Sequence, residues 1–295
     1  METTSQTGTA PTGALRIGTC SWKYDSWAGL VYSGSAKGNY LGEYAQHYDT
    51  VEVDQWFWSL HGPDSVSLPK PETVWEYAGA VPEDFRFTVK APNALTLTHF
   101  YRKNPTEPLR ENPHFLSPEL FREFLGRLAP LGPRLGPLML QFEYLNRQKM
   151  PSPKAFFEKL DVFVAACPRE VPLAVELRNP NWLTAAWFGW LRGRGLGHVF
   201  LEGYYMPPAA GLYDRFADSI RGFTVIRLHG PDRQGMEEKS GNRWDRILEP
   251  RDAALDEAAR IIRELRRREV DVFLNVNNHF EGCAPLTIAR IRERL

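Results

Sequence analysis

Eight short stretches of the chain are apolar or alternate between apolar and polar positions: residues 15–20, 50–56, 85–90, 138–143, 173–178, 198–202, 223–229 and 270–277. A period of two is the signature of a strand, whose successive side chains point to opposite faces. Between nearly all of them lie segments with spacing near the helical period: 39–48, 72–80, 118–128, 153–166, 185–191 and 253–268, with 286–295 closing the chain. Ser117 and Ser152 each precede a proline and read as N-caps with proline at the first helical position. The helical pattern is weakest at 207–220, between strands six and seven. Strands alternating with helices predict a parallel sheet. Eight of them predict a single (β/α)8 TIM-like barrel, with a doubly wound open sheet as the alternative. No GxGxxG follows the first strand, which removes the main support for a dinucleotide version of that alternative. Residues 91–115, after strand three, form a long proline- and charge-rich connection that reads as a functional lid. Residues 230–243 are a second candidate mobile segment.

Parity along the strands suggests where chemistry collects. In a barrel, alternate residues face the lumen and the helices. Placing each strand's aliphatic set against the helices sends Glu52, Asp54 and Trp56 inward from strand two, and Thr88 and Lys90 from strand three. Gln141 and Glu143 follow from strand four, Glu176 and Arg178 from strand five, and Glu202 from strand six. Arg227 and His229 come from strand seven, Asn275 and Asn277 from strand eight. These polar positions fall at the C-terminal ends of the strands, where barrel enzymes carry their sites. Beyond strand eight, Asn278, His279 and Glu281 read as rim residues. Ion pairing alone would explain one Glu176–Arg178 pair. Convergence of this many buried charges, each costly unless paired or used, points to a ligand-binding mouth. Trp22, Tyr24, Trp27, Trp56, Phe57, Trp58, Trp182, Tyr204 and Tyr205 also follow strand ends and offer flat faces for a ring.

Composition narrows the partners. Lys+Arg and Asp+Glu are equal at 36 each, so no global field recruits nucleic acid or a membrane, and any anion site is local. Cys20, Cys167 and Cys283 form no CxxC pair, which disfavours a disulfide frame and suits a reducing cytoplasm. Residues 1–13 lack the basic start and apolar run of a signal peptide and read as a disordered tail before a single domain spanning 14–295. No stretch approaches the ~18 apolar residues of a membrane span.

The motifs GTCSWKYDSW, TVEVDQWFW, FRFTVKAP, LGPLMLQFE, AVELRNPNW, VIRLHG and NVNNHFEGCAP occur in this order. With them the chain, from about Ile17 to Leu286, resembles the YecE-like family, also called domain of unknown function 72. The resemblance implies a TIM-barrel-like fold and no established activity. It marks Glu52, Lys90, Gln141, Glu176, Arg178, Arg227, His229, Asn278 and His279 as site residues.

The reading expected is an enzyme acting on a small anionic, ring-bearing substrate. Glu52, Glu176, His229 and His279 are its acid–base candidates. Lys90, Gln141, Arg178, Arg227, Asn277, Asn278, Trp22 and Trp56 would bind substrate, the cations also stabilising developing charge. The alternatives are a divalent-metal hydrolase or isomerase, a glycosidase using two carboxylates, and a non-enzymatic nucleotide or nucleic-acid binder. No HxH or HExxH spacing occurs and cations crowd the carboxylates, so no metal ligands are assigned.

Overall fold

The computed structural model describes residues 12–34, 39–102, 104, 106–168 and 170–295. Eight parallel strands close a barrel: β1 (Leu15–Cys20), β2 (Thr50–Val53), β3 (Arg86–Lys90), β4 (Leu135–Phe142), β5 (Leu173–Leu177), β6 (Gly197–Gly203), β7 (Phe223–Gly230) and β8 (Asp271–Val276), with β8 pairing β1. Around it run α1 (Tyr40–Tyr44), α2 (Pro71–Ala80), α3 (Asn93–Thr96), α4 (Pro118–Leu128), α5 (Pro153–Ala165), α6 (Ala185–Arg194), α7 (Ala209–Phe216), α8 (Arg233–Ser240), α9 (Asp252–Arg267) and α10 (Ala284–Arg292). The fold is thus a TIM-like barrel. Ser117 and Ser152 cap α4 and α5 through their hydroxyls, each followed by a first-turn proline.

Several expectations change. Strand two stops at Val53, so Trp56 lies in the following turn and stacks on Tyr77 of α2 at 5.6 Å. Residues 1–11 of the expected tail lie outside the described residues. Gly13 is docked: its amide donates to the Arg266 carbonyl at 2.9 Å, and its own carbonyl accepts from Arg266 Nε at 3.0 Å. The connection 91–115 is only partly lid-like. Residues 91–98 are buried and include α3. The side-chain Nδ2 of Asn112 donates to the carbonyls of Ala94 and Leu97 at 2.7 and 2.6 Å, sewing the returning arm to it. Among the described residues of this connection, Tyr101, Arg102, Asn104, 106–108, Arg110 and Glu111 are exposed. Residues 230–243 contain α8, capped by the Asp232 carboxylate on the Gly235 amide at 2.9 Å and ended by left-handed Gly241.

Strand six reverses the parity. Leu201 is in register with Arg227, which puts Leu201 in the lumen and Glu202 on the helix side. The rule that aliphatic residues face the helices fails here because the lower lumen is itself apolar. Met139, Ala174, Val199 and Val225 form a separate buried cluster with Phe223 and Phe273, a plug beneath the charged layer. Glu281 is another correction. It is fully buried rather than on the rim, accepting from the Arg251 amide at 2.6 Å and the Thr287 hydroxyl at 2.8 Å and pairing with Arg290.

Candidate functional site

One register step above the plug, Arg227 crosses the lumen. It reaches Glu52 twice, through Nε to Oε2 at 2.7 Å and Nη2 to Oε1 at 2.6 Å. Its Nη1 donates to Glu176 Oε2 at 2.5 Å and Gln141 Oε1 at 3.2 Å. Arg178 completes the chain with Nε on Glu176 Oε1 at 2.7 Å. Arg227 is 1% exposed and Glu52 0%, so these charges are supportable only because each has a partner. Burial opposes ionisation of Glu176, but Arg227 and Arg178 outweigh it and hold the carboxyl down at about 2. Both glutamates expected as acid–base groups are therefore committed to Arg227.

Lys90 is different. Among the described residues it has no carboxylate within salt-bridge distance, and its Nζ sits 4.0 Å from the centroid of Phe57. Burial lowers its pKa, and Arg227 adds to that. Asp54, in the turn beyond β2, is shifted upward by burial and by Glu52.

His229 lies at the end of β7, buried. Its Nδ1 is 3.2 Å from the Tyr204 hydroxyl and its Nε2 3.6 Å from Cys20 Sγ. Burial, then Arg227, Arg178 and Lys90, push its pKa well below the ordinary value, so the ring is neutral at pH 7. The Cys20 thiol is held protonated by burial and by Glu52, which argues against a ready thiolate nucleophile. Tight backbone contacts set this geometry. A Cβ on Gly230 (φ 77°) would lie 2.4 Å from the His279 carbonyl oxygen, and one on Gly203 2.3 Å from that of Gly230. The Tyr204 amide donates to the same Gly230 carbonyl at 3.0 Å, which carries its ring over to His229.

The remaining expected residues divide. His279 Nε2 lies 3.1 Å from Glu237 of α8, and its Nδ1 contacts Asn277 Oδ1. Asn278 caps the turn, accepting from the Ala284 amide at 2.8 Å, while its buried Nδ2 has no partner among the described residues. Asn275, fully buried beside Arg227, has both amide atoms unpartnered among the described residues. Trp22 is buried edge-on to Tyr77 at 5.1 Å, so it and Trp56 serve the helix layer. Glu143 pairs with Lys149 at 2.6 Å.

The loops carry four exposed aromatics, two of which (Trp58 and Tyr205) the sequence points to and two of which (Tyr101 and Tyr144) it misses. Trp58, Tyr101, Tyr144 and Tyr205, on the loops after β2, β3, β4 and β6, are 63, 57, 50 and 59% exposed. They form two touching pairs, Trp58–Tyr101 at 6.0 Å and Tyr144–Tyr205 at 6.4 Å. Tyr144 directly follows Glu143, so position relative to the strand end is the signal that could have found it.

A family model described as "Protein of unknown function DUF72" matches residues 16–295. The chain belongs to this family. The DUF72 barrel is 29% identical to the UPF0759 protein YecE of Escherichia coli K12 over 169 residues, covering 57% of this chain and 50% of that one. It thus spans about half the length of the curated relatives it matches. Two crystal structures of DUF72 family proteins share the fold. One from Enterococcus faecalis V583 gives a TM-score of 0.68 at 19% identity, covering 95% of each chain. The other, from Thermotoga maritima MSB8, gives 0.65 at 21% identity, covering 95% of this chain and 98% of that one. Among the described residues, no helix is long and apolar enough to cross a membrane.

Proposed function

We propose that the C-terminal mouth binds a small anionic, ring-bearing ligand, phosphorylated or nucleotide- or sugar-like, and acts on it by acid–base chemistry. The observation that carries this reading is Lys90: a buried ammonium over Phe57 with no salt-bridge partner among the described residues. An anion entering the mouth gives it the counter-charge it lacks. Arg178, with its side chain 20% exposed, can give a second donor while keeping Nε on Glu176. The loop aromatics supply flat apolar faces for the ring.

Glu52 and Glu176 take a different part from the one their sequence positions suggest. With their oxygens held by Arg227 they fix the guanidinium and shape the field, while proton transfer falls to His229. Its neutral imidazole, steered by the Tyr204 hydroxyl, can accept a proton from a bound ligand. His279, beside Glu237 and with its pKa lowered by burial, is the second proton-transfer candidate on the rim.

A thermal-shift screen against phosphosugars and nucleotides tests the reading. A ligand that stabilises the protein, and whose shift disappears in Lys90→Met, supports it. Responses identical in wild type, Lys90→Met and Arg178→Ala would remove it.

A further inference from the structure

Beside Arg227, three potential metal donors from three strands converge. Cys20 ends β1, Glu52 lies in β2 and His229 is next to last in β7. One donor atom from each falls within 4.8 Å of the others, and all three residues are buried. Cys20 Sγ is 3.5 Å from Glu52 Oε2 and 3.6 Å from His229 Nε2. Metal–sulfur bonds of ~2.3 Å and metal–nitrogen or metal–oxygen bonds of ~2.0–2.2 Å in a tetrahedron place neighbouring ligand atoms about that far apart. We propose that Cys20, Glu52 and His229 bind a single divalent transition-metal ion of zinc type, leaving an open coordination position toward the mouth.

The donor chemistry selects the ion. A thiolate and an imidazole favour Zn2+ or Co2+ over Mg2+ or Ca2+, which take oxygen ligands. Glu52 can serve the metal and Arg227 together, since a carboxylate has about four lone-pair sites and Arg227 occupies two. Tyr204 holds the far nitrogen of His229, as metal-bound histidines require. Asn275 follows Gly18 across the β8–β1 register and carries a sealed amide with no partner among the described residues, a polar group available to an ion-bound water.

Binding is balanced by loss of one proton: the Cys20 S–H bond breaks, sulfur keeps the electron pair and bonds the ion, and the proton leaves to solvent. The new thiolate joins Glu52, Glu176 and Asp54 against Lys90, Arg178 and Arg227. A dication then leaves the mouth net positive, which favours an anion. Metal binding does not require that ligand. His229 Nε2 cannot both hold the ion and take a proton, so a bound ion moves proton transfer off His229 while leaving the Lys90 anion site untouched. A titration without the anion therefore reads the metal site alone.

The test is Co2+ titration of the chelator-treated full chain with no anionic ligand present, read by absorption. The expected result is thiolate-to-cobalt charge transfer in the near ultraviolet, saturating at a single equivalent and reversed by Zn2+. It should persist in the Cys167→Ser/Cys283→Ser double variant, which leaves Cys20 as the sole thiol, and vanish in Cys20→Ser. Absence of the band in wild-type protein, or its survival in Cys20→Ser, would overturn the proposal. The double variant leaves the three ligands intact, so its reading stands even if Cys20→Ser fails to fold; loss of the band in a folded double variant would also overturn it.

Discussion

Arg227 and Glu52 form a two-pronged ion pair, 2.7 and 2.6 Å, sealed inside the barrel between β7 and β2. The pair joins strands on opposite sides of the β8–β1 closure. Replacing Arg227 with methionine leaves Glu52 and Glu176 buried without their shared cation. Breaking one side of a buried pair costs ~3–5 kcal/mol. A urea midpoint lowered accordingly, with an unchanged m-value, is the expected outcome. A loss below about 1 kcal/mol would mean that water or another cation already compensates these carboxylates.

Glu281 should behave as a structural staple. It accepts from the Arg251 amide, the Thr287 hydroxyl and Arg290, tying the turn after β8 to the N-cap of α9 and to both the first and last turns of α10. Glu281→Ala is expected to cost on the order of 2–4 kcal/mol through unsatisfied buried donors. Ligand affinity of the folded fraction should stay at the wild-type value. A weakened ligand response without a fall in melting temperature would return Glu281 to the rim.

How far the chain itself disclosed this arrangement differs by level. The inward set on β2, β3, β4, β5 and β7 follows from alternation, because a one-residue shift would turn the charged side chains onto the apolar helix layer. Glu202 is misassigned from sequence because Val199 enters the apolar plug and Leu201 lies inward beside Arg227, so the aliphatic set of β6 does not mark the helix side. The burial of Glu281 was hidden because its partners, Arg251, Thr287 and Arg290, come from two helices and no local pattern links them. Trp56 looked like a lumen residue for want of any local signal that β2 ends at Val53.

His198 offers a pH test outside the site. Its ring lies between Phe188 and Phe200, 4.7 Å from each, and neither nitrogen has a hydrogen-bond partner among the described residues. Burial lowers its pKa to about 3. The unfolded chain takes up a proton near pH ~6.5, which the folded chain refuses until about 3. Between these values the unfolded state binds more protons, so stability falls as pH drops. His198→Leu should flatten that part of the stability profile and leave the protein no less stable at pH 5. An unchanged slope would show that His198 is hydrated or paired.

The loop aromatics should contribute to binding without contributing to the fold. Trp58→Ala and Tyr205→Ala remove exposed rings, so melting temperature should hardly move. Affinity for a ring-bearing anion should fall by up to ~1–3 kcal/mol per lost stack, while inorganic phosphate binding stays constant. Equal losses for both ligands would indicate a displaced loop instead.

The central claim is that Lys90 is the mouth's available cation. Bromide soaks of crystals, read by anomalous scattering, test it most directly. The account predicts a strong peak within ion-pair distance of Lys90 Nζ, above Phe57, that vanishes in Lys90→Met crystals. Bromide found only on outer-surface arginines, with none at Lys90, would contradict it.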